Sequence, residues 1–396
     1  MNQIIVTALR DATSAHCGGK AATLGTLLRA GLPVPPGFVV PFAVRRAVRG
    51  DLDPWLPGAV RRELARALAK LGDPPVAVRS SAASEDTAGA SAAGQYESIL
   101  AVQGADAVGD AVRACWSSAG SARVAAYRSW SRDGEARAEP EMAVIVQRLV
   151  DADVSGVMFT PTSPDVPTRI EASWGLGLAV VGGTVTPDAH EVRPAGVVRR
   201  SIGTKTTRTD RGENRDGLRS SDVPAHQRAA PTLDDPTALR LAALGDRVAE
   251  LLGGPQDIEW AIADGATWLL QARPVTAPLP PTPVRRPVSH GAVMGGTPGA
   301  HGVVTGSARL VRSPGDFGRV QPGDIVVCPY TDPAWTPLFR IAAGVVTETG
   351  GALSHAAIVA REYGIPAALG IPHATTRLRD GARVTLDGTA GTLTVH

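Results

Sequence analysis

Apolar positions along the chain fall into two rhythms. Short runs rich in valine, isoleucine and alanine predict strands at Ile4 to Val6, Phe38 to Val40, Val76 to Val78, Met142 to Val146, Gly156 to Phe159 and Arg169 to Trp174. Leu24, Leu27 and Leu28 share one helical face after Gly18-Gly19-Lys20, and Gly31 ends that helix. A second helical segment is predicted from about Asp106 to Trp130, carrying Arg113, Trp116, Arg123 and Arg128. Residues 204–235 are polar with few apolar anchors, so a long surface excursion or a partly disordered segment is expected there. Asp257 to Ala261 and Trp268 to Pro274 both alternate, and Ala263-Asp264-Gly265-Ala266 between them reads as the turn of a hairpin.

From Pro274 to about Pro298 the pattern gives way to proline and glycine. Such a spacer is extended at ~3.1 Å per residue, so it marks a domain boundary able to bridge tens of ångströms. Beyond it the rhythm predicts a compact α/β unit. Its elements are a strand at Val303 to Val311, another at Asp324 to Cys328, a helix near Trp335 to Ile341, and strands at Ala367 to Leu369, Val384 to Leu386 and Thr392 to Val395. Within it the apolar run Ala342 to Val346 enters a Gly350-Gly351 turn. His355 then stands at the mouth of a short helix bearing Ile358 and Val359 and closed by Gly364.

Composition narrows the classes. A chain of 396 residues exceeds one ordinary core and suggests two or three domains. Its formal net charge of +2 gives no electrostatic case for nucleic acid or a membrane surface. Cys17, Cys115 and Cys328 are odd in number and far apart, which makes neither a disulfide framework nor a zinc pattern. The N-terminus lacks a signal-peptide pattern and no apolar stretch approaches a membrane span, so a cytoplasmic protein is expected.

The candidate chemistry lies at the element ends. A neutral imidazole at a helix mouth faces backbone N–H groups and the positive end of the helix dipole, which suits a group that receives a phosphoryl. Gly18-Gly19-Lys20 before a helix reads either as a phosphate site or as a plain surface turn. Arg79-Ser80-Ser81 opens a long small-residue loop after a buried strand, the composition of a polyphosphate lid. Gln147-Arg148 is a polar pair at a strand end. On the hairpin, alternation sets Asp257 and Glu259 on one face and Gln271 and Arg273 on one face. Two acids for Mg²⁺, an amide and a guanidinium for phosphate make a coherent nucleotide site, the alternative being a merely wet polar face.

These motifs together carry a resemblance that covers nearly the whole chain. Gly18-Gly19-Lys20-Ala21-Ala22-Thr23-Leu24-Gly25, Gly31-Leu32-Pro33-Val34-Pro35-Pro36-Gly37-Phe38, Val78-Arg79-Ser80-Ser81-Ala82 with Glu85-Asp86, Gln147 with Ser155-Gly156-Val157-Met158-Phe159-Thr160, and the hairpin resemble the nucleotide-binding domain of the phosphoenolpyruvate synthase, pyruvate phosphate dikinase and rifampin phosphotransferase superfamily. Thr331-Asp332-Pro333-Ala334-Trp335-Thr336-Pro337-Leu338-Phe339 and Gly350-Gly351 with Ser354-His355-Ala356-Ala357 resemble its phosphohistidine domain. The resemblance implies an α/β (α+β) chain. An ATP-grasp-type nucleotide-binding domain would occupy residues 1–275, a Pro/Gly-rich swivel linker 276–300, and a swivelling β/β/α phosphohistidine domain 301–396.

The resemblance also implies ATP and Mg²⁺ as cofactors. Phosphoryl would pass from the β-position of ATP through His355, releasing AMP and phosphate. Lys20, Arg79 and Arg123 would cradle phosphates, with Gln147, Gln271 and Arg273 contacting nucleotide, and Glu259, Asp257 and Gln271 would hold the metal. Two departures stand out. Leu178 follows Gly175-Leu176-Gly177 where the family commonly carries glutamate, and the sequence offers no third stretch able to fold as a substrate domain. The expected acceptor is therefore either a small hydroxyl- or carboxyl-bearing molecule or a separate acceptor protein. A nucleotide-binding regulator with a degenerate site is a further alternative, against which the intact set of charged residues speaks.

Overall fold

The computed structural model describes residues 5–48, 56–83, 97–119, 141–213, 217–277, 279 and 292–396. The described chain forms two compact units, both discontinuous in sequence. The first joins Met1–Ser155, Thr209–Ser221 and Ala243–Val275, and the second joins Gly156–Arg208, Asp222–Ala242 and Thr276–His396.

In the first unit the strands Thr7–Ala8, Gly37–Val40, Met142–Arg148, Val76–Ala82 and Ser98–Val102 lie in that order as a five-stranded antiparallel sheet. Phe38, Val40, Val76, Val78, Met142, Val144 and Val146 form one core with Leu64 and Leu68 of the helix Gly58–Leu71 and Val108, Val112 and Trp116 of the helix Ala105–Ser118. The intervening Val39, Ala143 and Ile145 are buried as well, and the helix Ser14–Arg29 packs against Val76–Ala82 and Met142–Arg148. A sheet covered on both faces reads as continuous apolar runs rather than as alternation, which is why these strands stand out in the sequence. The strands Gln256–Ala263 and Ala266–Pro274 pair as the predicted hairpin, with Asp257 opposite Arg273 and Glu259 opposite Gln271.

The second unit contains the antiparallel meander Thr168–Trp174, Asp188–Arg193 and Gly196–Ser201. It also contains an eight-stranded sheet whose centre is parallel: Val303–Leu310, Asp324–Cys328, Gly344–Thr347 and Ala367–Leu369 are successive neighbours. One face of this sheet is closed by a core of Trp335, Leu338, Phe339, Ala357, Val359 and Ala360, and the other by Ile325, Val327, Leu378, Leu386 and Leu393. The helix His355–Tyr363 is the crossover between the last two parallel strands, so His355 stands beyond the carboxyl end of Gly344–Thr347. That edge is where ligand chemistry collects in parallel sheets.

Three sequence expectations are altered. Residues 292–300, counted with the linker, form the two edge strands Ala292–Gly295 and Thr297–Ala300. Pro298 is tolerated there because an edge strand need not donate from every N–H. Residues 204–235 are, where described, an ordered excursion: Thr207–Arg211 and Leu218–Asp222 form a separate two-stranded sheet. Their anchor is polar, because fully buried Lys205 donates to fully buried Asp188. Asp188 also accepts from the N–H of Gly203 at 2.9 Å and from the N–H and hydroxyl of Thr232, both at 2.8 Å. An apolar pattern cannot reveal such an anchor. The second helix ends at Ser118, and Arg123, Arg128, Glu85, Asp86 and most of the Pro-rich stretch lie outside the described residues. Among the described residues, no helix is long and apolar enough to cross a membrane.

Candidate nucleotide and phosphoryl-carrier sites

The hairpin site is assembled across two layers of the first unit. Strand Val76–Ala82 runs further than its apolar stretch suggests, so Arg79 is a strand residue rather than the start of a loop. Its guanidinium reaches the hairpin: Nη1 donates to the Leu270 carbonyl at 2.9 Å, while Nη2 donates to Glu259 Oε2 at 2.9 Å and to Gln271 Oε1 at 2.8 Å. Two register pairs down, Arg273 Nε donates to Asp257 Oδ2 at 2.8 Å and Nη2 lies 2.7 Å from the same oxygen. Asp257, Gln271 and Arg273 are buried and Glu259 is half-buried. Polar groups so removed from water persist only when paired, and here each carboxylate has a guanidinium.

The Gly-Gly-Lys and Arg-Ser-Ser motifs, separate in sequence, belong to one structure. The helix Ser14–Arg29 is broken at Gly18, whose φ of 80° and ψ of 168° are non-helical, so Lys20 opens the second helical segment. A Cβ at Gly18 would stand 2.4 Å from the Ser81 carbonyl oxygen and 2.5 Å from its Oγ. Only glycine meets both demands, a left-handed φ and backbone-to-backbone approach. The N–H of Ala21 then donates to Ser81 Oγ at 3.1 Å. The backbone next to buried Lys20 is thus fixed to the strand that carries Arg79. Buried Gln147 has a further duty, its amide donating to the Pro35 carbonyl at 3.0 Å, while Leu269 N–H donates to Pro33 at 2.7 Å. The stiff proline turn is therefore clamped between a central strand and the hairpin.

In the second unit, His355 is buried as the first residue of a nine-residue helix. Ser354 precedes it in extended conformation, its hydroxyl donating to the Gly351 carbonyl at 2.8 Å, and Gly364 ends the helix in the left-handed region. A residue that sequence reasoning missed, Glu171, lies in the core of the same unit and is 1 % exposed. Its oxygens accept from Ala352 N–H at 2.8 Å and Leu353 N–H at 3.1 Å. Burial pushes its carboxyl up, while Arg169, the two amides and Arg361 pull it back. Its signal in the sequence was a lone acid inside the strand Thr168–Trp174. Leu178, at the position of the usual glutamate, opens the short helix Leu178–Val181 and is 40 % exposed.

The fold and these groupings define a nucleotide-binding unit coupled in one chain to a histidine-bearing α/β unit. Residues 52–278 match the pyruvate phosphate dikinase, AMP/ATP-binding domain, and residues 320–391 match the PEP-utilising enzyme, mobile domain. The first match covers more than half of the chain, so the chain belongs to the pyruvate phosphate dikinase and phosphoenolpyruvate synthase superfamily, with its ATP-grasp-type domain and mobile domain. It is 36 % identical over 417 residues to a probable phosphoenolpyruvate synthase of Methanothermobacter thermautotrophicus, covering 94 % of this chain and 60 % of that protein. It is 34 % identical over 460 residues to the phosphoenolpyruvate synthase of Aeropyrum pernix, covering 94 % and 55 %. To the phosphoenolpyruvate synthase of Escherichia coli it is 36 % identical over 360 residues, covering 85 % and 45 %. The chain thus spans about half the length of these relatives.

Proposed function

We propose that the chain carries the ATP-to-phosphohistidine half of a dikinase-type phosphotransferase, with His355 as the phosphoryl carrier. The observation that carries this reading is the convergence on Arg79, whose Nη2 draws a Glu259 oxygen and a Gln271 oxygen to 2.9 and 2.8 Å. Two hard oxygens directed at one cationic nitrogen are the donor chemistry of a Mg²⁺ site, and the set fits that ion. Mg²⁺ bound to nucleotide phosphates needs only one or two protein carboxylates. Glu259 and Gln271 would hold it with Asp257 close by. When bound it supplies charge neutralisation to the phosphate chain.

Lys20 and Arg79, with Arg123 and Arg273, are the cations assigned to the phosphates, and Gln147 holds the turn that lines the nucleotide. In the reaction a His355 ring nitrogen attacks the β-phosphorus. An N–P bond forms, the bond from that phosphorus to the α,β-bridging oxygen breaks, and AMP leaves with the electron pair. Water then cleaves the β–γ linkage, so phosphate departs and one phosphoryl stays on His355. The P–N bond keeps the group reactive for a second transfer. Residues 1–275 are assigned to the first step, 301–396 to the carrier, and 276–300 to the connection between them.

The acceptor we assign is a small molecule with a hydroxyl or carboxyl group, in keeping with relatives named phosphoenolpyruvate synthase. A separate acceptor protein is the alternative. Cys17, Cys115 and Cys328 are all buried thiols outside any disulfide, which suits a reducing cytoplasm. Incubation with Mg²⁺ and ATP is expected to yield AMP and an acid-labile phosphoprotein, and His355→Ala is expected to form none. Failure of the intact chain to release AMP would overturn the reading.

A further inference from the structure

The loop that presents His355 is gripped from outside its own sheet. Glu171 accepts the N–H groups of Ala352 and Leu353, three and two residues before the histidine. Nearby, Gly350 N–H donates to the Val185 carbonyl at 3.0 Å, and the Thr349 hydroxyl donates to the Gly183 carbonyl at 2.6 Å. All these residues belong to the second compact unit, yet Glu171, Gly183 and Val185 fall within the AMP/ATP-binding match and Thr349 to Leu353 within the mobile-domain match. The grip therefore joins the two family domains inside one unit.

Two further observations set Glu171 apart from an ordinary core acid. A Cβ on Gly351 would lie 2.1 Å from Glu171 Oε2 and 2.7 Å from Oε1, so the second glycine of the pair leaves room for this carboxylate. Arg361, one and a half turns along the helix from His355, donates Nη1 to the Ala352 carbonyl at 2.8 Å, and Arg169 lies 3.8 Å from Glu171. The loop is thus fixed through both its amides and its carbonyl. A buried carboxylate that spends both oxygens on backbone N–H groups forms charge-assisted bonds, stronger and more directional than neutral ones.

We propose that Glu171 is a positioning residue for phosphoryl transfer: it latches the loop Gly350–Leu353 onto the nucleotide-binding domain and so fixes His355 for attack. This rests on the reading of His355 as the phosphoryl carrier. It predicts a rate effect without a nucleotide-affinity effect, because Glu171 acts on the nucleophile's loop. A displacement of about 1 Å in a reacting group can cost roughly 100-fold in rate.

The test uses the full chain and three variants, Glu171→Gln, Glu171→Ala and Gly351→Ala, each checked for a native thermal transition. Single-turnover phosphorylation by Mg²⁺ and β-labelled ATP is followed by rapid quench, ATP affinity is measured at equilibrium in parallel, and amide hydrogen exchange is read over residues 349–358. Glu171→Ala is expected to slow phosphohistidine formation by roughly 10- to 100-fold. Its ATP affinity should stay within about twofold of the parent, and exchange at Ala352 and Leu353 should rise. Glu171→Gln should fall between. Gly351→Ala, which expels the carboxylate sterically, should match Glu171→Ala, and the double variant should be no slower than either. A folded Glu171→Ala chain phosphorylated within twofold of the parent rate overturns the proposal. If the parent itself forms no phosphoprotein, the functional reading fails, and exchange alone judges the latch: raised exchange in Glu171→Ala supports it, unchanged exchange overturns it.

Discussion

Arg79 and His190 illustrate two ways of withdrawing a polar side chain from water. Arg79 is satisfied by hydrogen bonding: a carboxylate, an amide oxygen and a carbonyl accept from it. His190, on Asp188–Arg193, has neither ring nitrogen hydrogen-bonded and no exposure. Burial lowers its pKa, and Arg200 and Arg169 add to that while Asp188 and Asp235 oppose it. The folded protein therefore holds a neutral imidazole. Once pH falls below the unfolded value of about 6.5, the unfolded chain binds a proton that the folded chain refuses. Stability is complete above that pH and declines below it toward the lowered folded value. Urea denaturation between pH 7.5 and 5 is expected to show this decline, and His190→Phe, of similar shape without the titrating nitrogens, should flatten it. An identical slope in both proteins would assign the acid sensitivity elsewhere.

At the scale of elements, the second unit depends on a polar fastening. Lys205 and Asp188 are both fully buried, and Asp188 ties the strand Asp188–Arg193 to Gly203 and Thr232. Breaking such a pair from one side strands a charge, so Lys205→Met is expected to cost about 3–5 kcal/mol. Chemical denaturation measures this, and a loss below about 1 kcal/mol would show that Asp188 is satisfied by its neutral donors alone. This fastening also marks the limit of what the sequence reveals. Strands with a covered face, such as Met142–Arg148 and Asp324–Cys328, are legible as apolar runs because burial selects their composition. The hairpin itself is legible because alternating runs flank a tight turn, but the register shift between Glu259 and Trp260 that sets Glu259 opposite Gln271 is not. Residues 204–235 are not legible either, since Lys205, which fastens them alongside buried Val223 and Leu233, has its partner 17 residues away. The same holds for Glu171, whose partners lie 181 and 182 residues on. Gly18 and Ser81 show the intermediate case: each motif is visible alone, but their contact is not.

For the molecule as a whole, the proposed nucleotide site holds its acids and guanidiniums in self-neutralising pairs, so binding there would exchange one set of partners for another. In the proposed function, Glu259 and Gln271 would release Arg79 Nη2 to hold the cation, and Arg79 would be free to meet phosphate. The exchange conserves charge pairing, and its cost is therefore small beside the gain from the ligand. Linkage then makes affinity visible as stability: at 100 times its Kd a ligand that binds only the folded state stabilises by ~2.7 kcal/mol. In a domain of roughly 150–250 residues this raises Tm by roughly 5–11 °C, scaled from about 2–4 °C per kcal/mol. The parent chain with Mg²⁺ and ATP is expected to show that shift. His355→Ala should keep it whole, because the carrier histidine takes no part in holding ATP. Glu259→Gln should lose most of the Mg²⁺-dependent portion, keeping the hydrogen bond to Arg79 while surrendering the anionic metal ligand. A full shift in Glu259→Gln would remove Glu259 from the metal site and leave Asp257 as its carboxylate. Loss of the shift in His355→Ala would mean that the histidine binds nucleotide rather than receiving its phosphoryl.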